Sequence, residues 1–153
     1  MSLFASLRTS ASGLTSQRLR MDLISNNIAN VETTRTAEGG AYRRQQVLFM
    51  PKMIGRGSFF EQLRGTSPLR AQGLGPELQG VQALAIVEDQ SPTRLAYDPT
   101  HPDANPDGFV EFPNVNVVTE MADMLSATRS YEANATVFNA AKQMAQRAID
   151  LAR

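Results

Sequence analysis

Glycine and proline are nearly absent from long stretches at both ends of the chain, and this distribution constrains the fold more than any other feature. All eight prolines lie between Pro51 and Pro113, Gly13 is the only glycine before Gly39, and no glycine follows Gly108. Because these residues interrupt helices most strongly, both ends can form long helices whereas the middle cannot. The 153-residue chain therefore divides into residues 1–31, 32–115 and 116–153.

In the first segment, a row of mostly apolar residues recurs at alternating steps of four and three, the spacing of a helix packed lengthwise against another helix. The row consists of Leu3, Leu7, Ser10, Leu14, Gln17, Met21, Ile24, Ile28 and Val31. The other faces carry mainly serine, threonine and asparagine, which are mediocre helix formers. We therefore expect a helix of about 45 Å that is stable only when it is covered.

The last segment repeats this pattern. Its row consists of Val117, Met121, Met124, Thr128, Tyr131, Ala135, Phe138, Lys142, Ala145, Ile149 and Ala152. Apolar residues beside the row widen it beyond a two-helix contact, namely Leu125, Met144, Ala148 and Leu151. This width indicates more than one partner for the helix, and Asn116 is its expected N-cap.

The middle segment is predicted to be a small β-rich region. Strand patterns occur at residues 41–50, 81–88 and 108–112. Residues 55–80 contain six of the ten glycines, and we expect an exposed loop or flexible insertion at about residues 52–80. Its apolar cluster is Phe59, Phe60 and Leu63. The predicted fold class is α+β.

The apolar surface of two such helices exceeds what the rest of one chain can cover. A single pair of helices leaves one side of each apolar row in water, and monomers seldom expose more than roughly a few hundred Å² of contiguous apolar surface. The missing cover must come from other subunits. The sequence therefore predicts a polymer or a ring.

Composition excludes several other classes of protein. Fifteen basic and fifteen acidic residues give a net charge of zero, which argues against a dedicated nucleic-acid binder or a polybasic membrane anchor. The absence of cysteine removes disulfides and thiolate metal sites. No apolar run approaches the roughly 20 residues of a membrane span. Residues 1–13 lack the continuous apolar region of a signal peptide, so we expect no cleaved signal.

One acidic loop, D-P-T-H-P-D-A-N-P-D-G at residues 98–108, resembles a metal or catalytic site. It holds the only histidine, His101, and residues 103–108 match the first half of a calcium-binding loop. The position of the bidentate glutamate is occupied by Asn114, and Pro113 precedes it. We therefore favour an Asx-rich turn with a solvated imidazole, and we predict no metal ligands.

No catalytic or cofactor-binding residues are predicted elsewhere. Arg43 and Arg44 follow Tyr42, but neighbouring residues on a strand face opposite sides, so a salt bridge or solvation is favoured over a phosphate contact. The glycine pairs at residues 55–57 and 73–75 are not followed by a helix with a phosphate-binding lysine. The serines and threonines before Gly13 have no general base beside them.

Several segments resemble bacterial flagellar rod and hook proteins, and more narrowly the proximal-rod subunits. They are S-N-N-I-A-N at 25–30, E-T-T-R-T-A-E-G-G-A-Y-R-R at 32–44, V-E-D-Q-S-P-T-R-L-A-Y-D-P-T-H-P-D at 87–103, F-P-N-V-N-V-V-T-E-M at 112–121, S-A-T-R-S-Y-E-A-N at 126–134 and A-A-K-Q-M-A at 140–145. No shared pattern is found at about residues 52–80.

The resemblance implies a structural protein without catalysis or a cofactor. The terminal helices are expected to pair as an antiparallel, coiled-coil-like inner domain whose copies stack into a tube, with the β-rich part facing outward. The implied partners are copies of the chain, other rod proteins and the flagellar type III export apparatus. The implied location is the periplasmic rod of the flagellar basal body, where the subunit transmits torque and forms the wall of the export channel.

The residues implied for subunit packing are members of the two helical rows, the flanking Leu125 and three asparagines at the end of the first helix. They are Leu3, Leu7, Leu14, Met21, Ile24, Asn26, Asn27, Ile28, Asn30, Val31, Val117, Met121, Met124, Leu125, Tyr131, Ala135, Phe138, Ala145 and Ile149. Asn30 either caps carbonyls, bonds a neighbour's backbone or has a local turn role.

Two alternatives from other classes stay open. One is a peripheral partner-binding helical module, although the basic residues that would line its polar face are nearly absent. The other is a hydrolase or a calcium-regulated protein that uses the His101 region.

Overall fold

The structure is a computed structural model that describes residues 3–37, 39–54 and 77–151. The elements run in the order α1 (Leu3–Ala29), β1 (Gln45–Ile54), β2 (Glu77–Glu88), β3 (Arg94–Tyr97), β4 (Phe109–Phe112) and α2 (Val117–Leu151). Two long terminal helices therefore flank antiparallel strands, which confirms the predicted α+β class. Neither helix has the length and apolar content needed to cross a membrane within these described ranges.

The two helices pack against each other in opposite directions. A Cβ atom on Gly13 would lie 2.9 Å from Nδ2 of Asn134, and further along the pair Thr128 Oγ1 lies 3.6 Å from Met21 Sδ. Moving along α1 from Gly13 to Met21, the contacted residue of α2 changes from Asn134 back to Thr128. The helices are therefore antiparallel. Gly13, the one glycine in α1, stands where any side chain would press against Asn134.

The face that α2 turns toward the protein interior is rotated from the predicted row. The buried residues of α2 are Glu120, Ala127 and Ala141, whereas Met121 and Ile149 of the predicted row are exposed. Seven other members of that row are half-buried: Val117, Met124, Thr128, Tyr131, Ala135, Phe138 and Ala145. Alanine lets a neighbouring helix approach more closely than methionine or isoleucine, so the small residues occupy the contact and the larger ones point outward.

Strands β1 and β2 form a long antiparallel pair that starts at Gln45–Glu88 and ends at Ile54–Glu77. Strand β1 begins at Gln45, whereas the predicted strand began at residue 41. The pair also includes residues 52–54 and 77–80, which lie at the two ends of the expected insertion. Register irregularities occur next to Leu48 and around Pro51. A proline fits at such a position because it cannot donate a ladder hydrogen bond. Residues 55–76, with the predicted cluster Phe59, Phe60 and Leu63, lie outside the described residues.

Strand β2 is anchored to α1 by a polar contact at Val81. The backbone N–H of Val81 donates to Ser12 Oγ at 3.1 Å, and this hydroxyl in turn donates to the carbonyl of Thr9 at 2.7 Å. Gly80, just before Val81, has a φ of 109°, and a Cβ atom there would clash with Ser12 Oγ. The strand pair therefore approaches the helix so closely that only glycine fits.

Strands β3 and β4 form a second, short antiparallel pair. The sequence predicted β4 but not β3. The rings of Tyr97 and Phe109 pack edge to face at 5.3 Å, and Val110 is fully buried. Gly108 has a φ of 80°, and a Cβ atom there would lie 2.9 Å from the Tyr97 ring.

Candidate assembly site

The most densely bonded side chain of the described residues is the amide of Asn27, which is only 1% exposed. Its Nδ2 donates to the carbonyl of Gln45 at 2.9 Å and to Glu120 Oε2 at 3.1 Å. Its Oδ1 accepts from the Tyr42 hydroxyl and from the Gln45 N–H, both at 2.9 Å. All four hydrogen-bonding positions of the amide are filled, so Asn27 joins the end of α1, the start of β1 and the first turn of α2.

The partner of Asn27 on α2 is the carboxylate of Glu120, which is also 1% exposed. Glu120 Oε1 accepts from Arg44 Nε at 2.6 Å, and an Arg44 terminal nitrogen lies 3.7 Å from Asp123 Oδ2. A buried carboxylate is stable only when it is paired and hydrogen-bonded, and here both oxygens are engaged. We call Asn27, Tyr42, Arg44, Gln45 and Glu120 the buried junction.

Arg43 and Arg44 precede β1, which begins at Gln45, and they have different partners. Arg44 pairs with Glu120 inside the chain, whereas Arg43 is exposed and reaches only the carbonyl of Asp89 at 3.5 Å. The sequence favoured a salt bridge or solvation for these arginines. Arg44 forms a salt bridge within the chain, with Glu120.

Burial raises the pKa of the Tyr42 hydroxyl, and the nearby carboxylates of Glu88 and Glu120 raise it further. The neutral hydroxyl donates to Asn27 Oδ1, an interaction that a phenolate cannot make.

The end of α1 is closed by local hydrogen bonds. Asn30 Nδ2 donates to the carbonyl of Asn26 at 2.9 Å, and Thr33 Oγ1 donates to Asn30 Oδ1 at 3.1 Å. The structure therefore gives Asn30 the local capping role, while Asn26 is exposed. The three asparagines of the S-N-N-I-A-N motif have different surroundings, and only Asn27 lies in the buried junction.

The acidic loop at residues 98–108 uses its polar groups within the fold. Asp98 Oδ1 accepts from the Thr100 hydroxyl at 2.6 Å and from its N–H at 3.0 Å, and these bonds lower the pKa of Asp98. His101 Nδ1 accepts from the Asp103 N–H at 3.1 Å, and Asp103 Oδ2 accepts from Thr34 Oγ1 at 2.8 Å. Within the described ranges, no group of three or more acidic or histidine side chains is arranged to hold a metal ion.

A cleft of about 260 Å³ opens beside the buried junction. Its charged lining residues are Arg20, Arg44, Glu120 and Asp123, so the two signs balance. The lining includes no serine, threonine or histidine that would serve as a nucleophile or a neutral base.

The residues predicted for subunit packing divide into an inner and an outer group. Those on or next to α1 are buried or half-buried, apart from the exposed Asn26: Leu7, Leu14, Met21, Ile24, Asn27, Ile28, Asn30 and Val31. Those half-buried on α2 are Val117, Met124, Tyr131, Ala135, Phe138 and Ala145. Met121, Leu125 and Ile149 are exposed, and the side chain of Leu3 lies outside the described ones.

Large apolar side chains are exposed along the length of α2. They are Val118, Met121, Leu125, Val137, Met144, Ile149 and Leu151. The predicted packing set missed Val118, Val137, Met144 and Leu151, although the apolar width of the row had already indicated Met144 and Leu151. It also missed Tyr42, Arg44, Gln45 and Glu120 of the buried junction, for which the sequence gives no signal beyond a glutamate in the first turn of α2.

Two family models match the chain, one on each helix. The model described as "Flagella basal body rod protein" matches residues 7–36, and the model described as "Flagellar basal body rod FlgEFG protein C-terminal" matches residues 107–151. The first match includes the S-N-N-I-A-N motif, and the second includes β4 and all of α2.

Curated relatives are similar over nearly the whole chain. The flagellar basal-body rod protein FlgC of Borreliella burgdorferi is 47% identical over 156 residues, covering 97% of both chains. FlgC of Bacillus subtilis is 43% identical over 157 residues and all of both chains. FlgC of Salmonella typhimurium is 34% identical over 140 residues, covering 92% of this chain and 90% of its own.

Proposed function

This chain belongs to the FlgC family of flagellar basal-body rod proteins and is a structural subunit of the rod, and we propose that it polymerises through the outer faces of its terminal helices. The observation that carries the proposal is the row of exposed large apolar side chains on α2. A solitary chain would hold this surface in water, whereas neighbouring subunits would cover it.

Within each subunit, α1 and α2 form a coiled-coil-like inner domain. Support comes from one series among the buried and half-buried residues of α2, whose members recur at steps of four and three: Glu120, Met124, Ala127, Tyr131, Asn134, Phe138, Ala141 and Ala145. This is the spacing of side chains that interlock between two helices. The buried junction closes one end of the pair and fixes how far one helix is shifted along the other.

In the assembled rod, lengthwise helix contacts transmit torque and form the wall of the export channel. Close-packed, interlocked side chains must move together, so such a contact resists twisting. The partners are copies of the chain and other rod proteins of the basal body.

The subunit reaches the periplasmic rod unfolded, through the flagellar type III export apparatus. The composition of α1 supports this route, because a helix rich in serine, threonine and asparagine has low intrinsic stability. Such a segment unfolds readily for passage through a narrow channel and orders again when it is covered.

The proposal is tested with Met144→Asp, which places a charge on the exposed apolar side of α2. We expect this variant to be made and exported normally but to be lost from purified basal bodies, with loss of motility. Gln143→Asp is the matched control, since Gln143 is exposed and polar on the same turn. Wild-type incorporation of Met144→Asp would contradict packing through this face.

A further inference from the structure

Two exposed rows on different elements of the chain have the same order of side chains. On β2, Leu84 and Ile86 are 63% and 51% exposed and are followed by the exposed Glu88. On α2, Met121 and Leu125 are 60% and 54% exposed and are followed by the exposed Arg129. Each row therefore reads apolar, apolar, charged, and the two charges have opposite sign.

The spacing of the two rows matches as well. Residues two apart on a strand are separated by about 6.7 Å, and residues four apart on a helix by about 6 Å along the axis. Ile86 and Glu88 lie on one side of the ribbon, because their cross-strand partners Val47 and Gln45 are also two residues apart. Leu84 lies at the register irregularity between Ala83 and Ala85 and has no cross-strand partner, so the regular match covers the other two positions. Aligned in the same chain direction, the rows place Ile86 on Leu125 and Glu88 on Arg129.

Among the described residues of one chain, the two rows do not contact each other. Strand β2 contacts β1 and α1 but makes no contact with α2. Neither Glu88 nor Arg129 forms an ion pair with any residue that the structure describes. The two surfaces are therefore available for a contact between chains, and their charges are complementary.

We propose that the β2 row of one subunit docks on the α2 row of a second copy of this chain, an inference that rests on the proposed rod function. Because the two surfaces are different, the contact is heterologous and repeats from copy to copy instead of closing a two-fold dimer. The β1–β2 ribbon packs on α1 but leaves Ile86 and Glu88 exposed, so cover by a second copy would add to the limited stability of a two-stranded pair.

The natural absence of cysteine makes a disulfide test clean. Two differently tagged copies are produced together, one with Ile86→Cys and one with Leu125→Cys, and basal bodies are isolated and oxidised. We expect a disulfide-linked species that carries both tags, at least about tenfold more abundant than for Ile86→Cys with Val137→Cys. Val137 is the matched control because it is a similarly exposed apolar residue on the same helix.

A charge exchange tests the register of the contact. Glu88→Arg and Arg129→Glu are each expected to lower the yield of the disulfide about threefold, the size of an exposed ion pair, and the double exchange is expected to restore it. Two outcomes would overturn the docking and leave the rod function intact. In the first, basal bodies contain the subunit but give no more disulfide than the Val137 control. In the second, Ile86→Cys forms its disulfide with a different rod protein. If the chain is missing from basal bodies altogether, the proposed function fails and the docking with it.

Discussion

The side-chain amide of Asn27 donates to the carboxylate of Glu120 across 3.1 Å, although the two residues are 93 positions apart in the sequence. Both are 1% exposed, and together they fix the end of α1 against the first turn of α2. The positive end of the α2 dipole favours a carboxylate at this position. A buried polar pair of this kind specifies one alignment of two helices, because any shift would leave its atoms unpaired.

Replacing Asn27 with alanine should destabilise the fold strongly. The substitution leaves the Gln45 N–H and the Tyr42 hydroxyl without their acceptor and removes one donor to Glu120. We expect the free energy of unfolding to fall by about 3 kcal/mol, measured by urea denaturation followed by circular dichroism. Asn26→Ala, at an exposed neighbouring position, is the control and should change it by less than about 1 kcal/mol. Equal effects of the two substitutions would refute the role of the junction.

The ion pair between Arg44 and Glu120 should behave as one unit. Glu120→Ala leaves a largely buried guanidinium without its main partner, so we expect a loss of about 3 kcal/mol. The double variant Glu120→Ala with Arg44→Ala should lose clearly less unfolding free energy than the two single variants lose together. A double-mutant cycle measures this difference. Asp123→Ala, at the more exposed and more distant carboxylate, should cost less than about 1 kcal/mol. Additive effects of Glu120→Ala and Arg44→Ala would contradict the pairing.

Alanine at Gly80 and at Gly39 should separate backbone strain from a steric clash. Both glycines have a positive φ, but a Cβ atom meets Ser12 at Gly80 and meets nothing within 4 Å at Gly39. We expect Gly39→Ala to lower the free energy of unfolding by about 1 kcal/mol, because of backbone strain alone. Gly80→Ala should lower it by roughly 2 kcal/mol more, because the strand pair must also move away from α1. Hydrogen exchange of the β2 amides gives a second readout, and it should increase only for Gly80→Ala. Similar behaviour of the two variants would refute the close approach at Ser12.

The hydroxyl of Tyr42 makes stability fall at high pH. Its pKa in the folded chain is raised above the ordinary value of 10.0, so the folded state favours the neutral hydroxyl. The contribution is fully present below pH 10 and is lost as the pH rises through the folded pKa, because the unfolded chain ionises first. Ultraviolet titration should show one tyrosine that ionises late, and Tyr42→Phe should abolish that step. If the late step persists in the variant, the assignment to Tyr42 is wrong.

The placement of the helices and of the long strand pair follows from local information. Long stretches with little glycine or proline permit helices, and the alternation of apolar residues favours strands at 81–88, so neighbouring residues alone carry these signals. The family resemblance was likewise visible in short motifs, such as S-N-N-I-A-N at 25–30, and the relatives confirmed it. Strand β3 was not predicted, although it is as long as β4, which was.

What the sequence alone determined is thus a pair of long terminal helices around a β-rich middle, in a chain with more apolar surface than it can cover. The inward side of α2 and the contact of Asn27, Arg44 and Glu120 are visible only in the folded chain. The physical reason is that periodicity fixes which residues share a helix face but not which of two adjacent apolar rows comes closest to the partner. That choice depends on the small residues Ala127 and Ala141 and on hydrogen bonds between distant positions, which form only when the whole chain is folded.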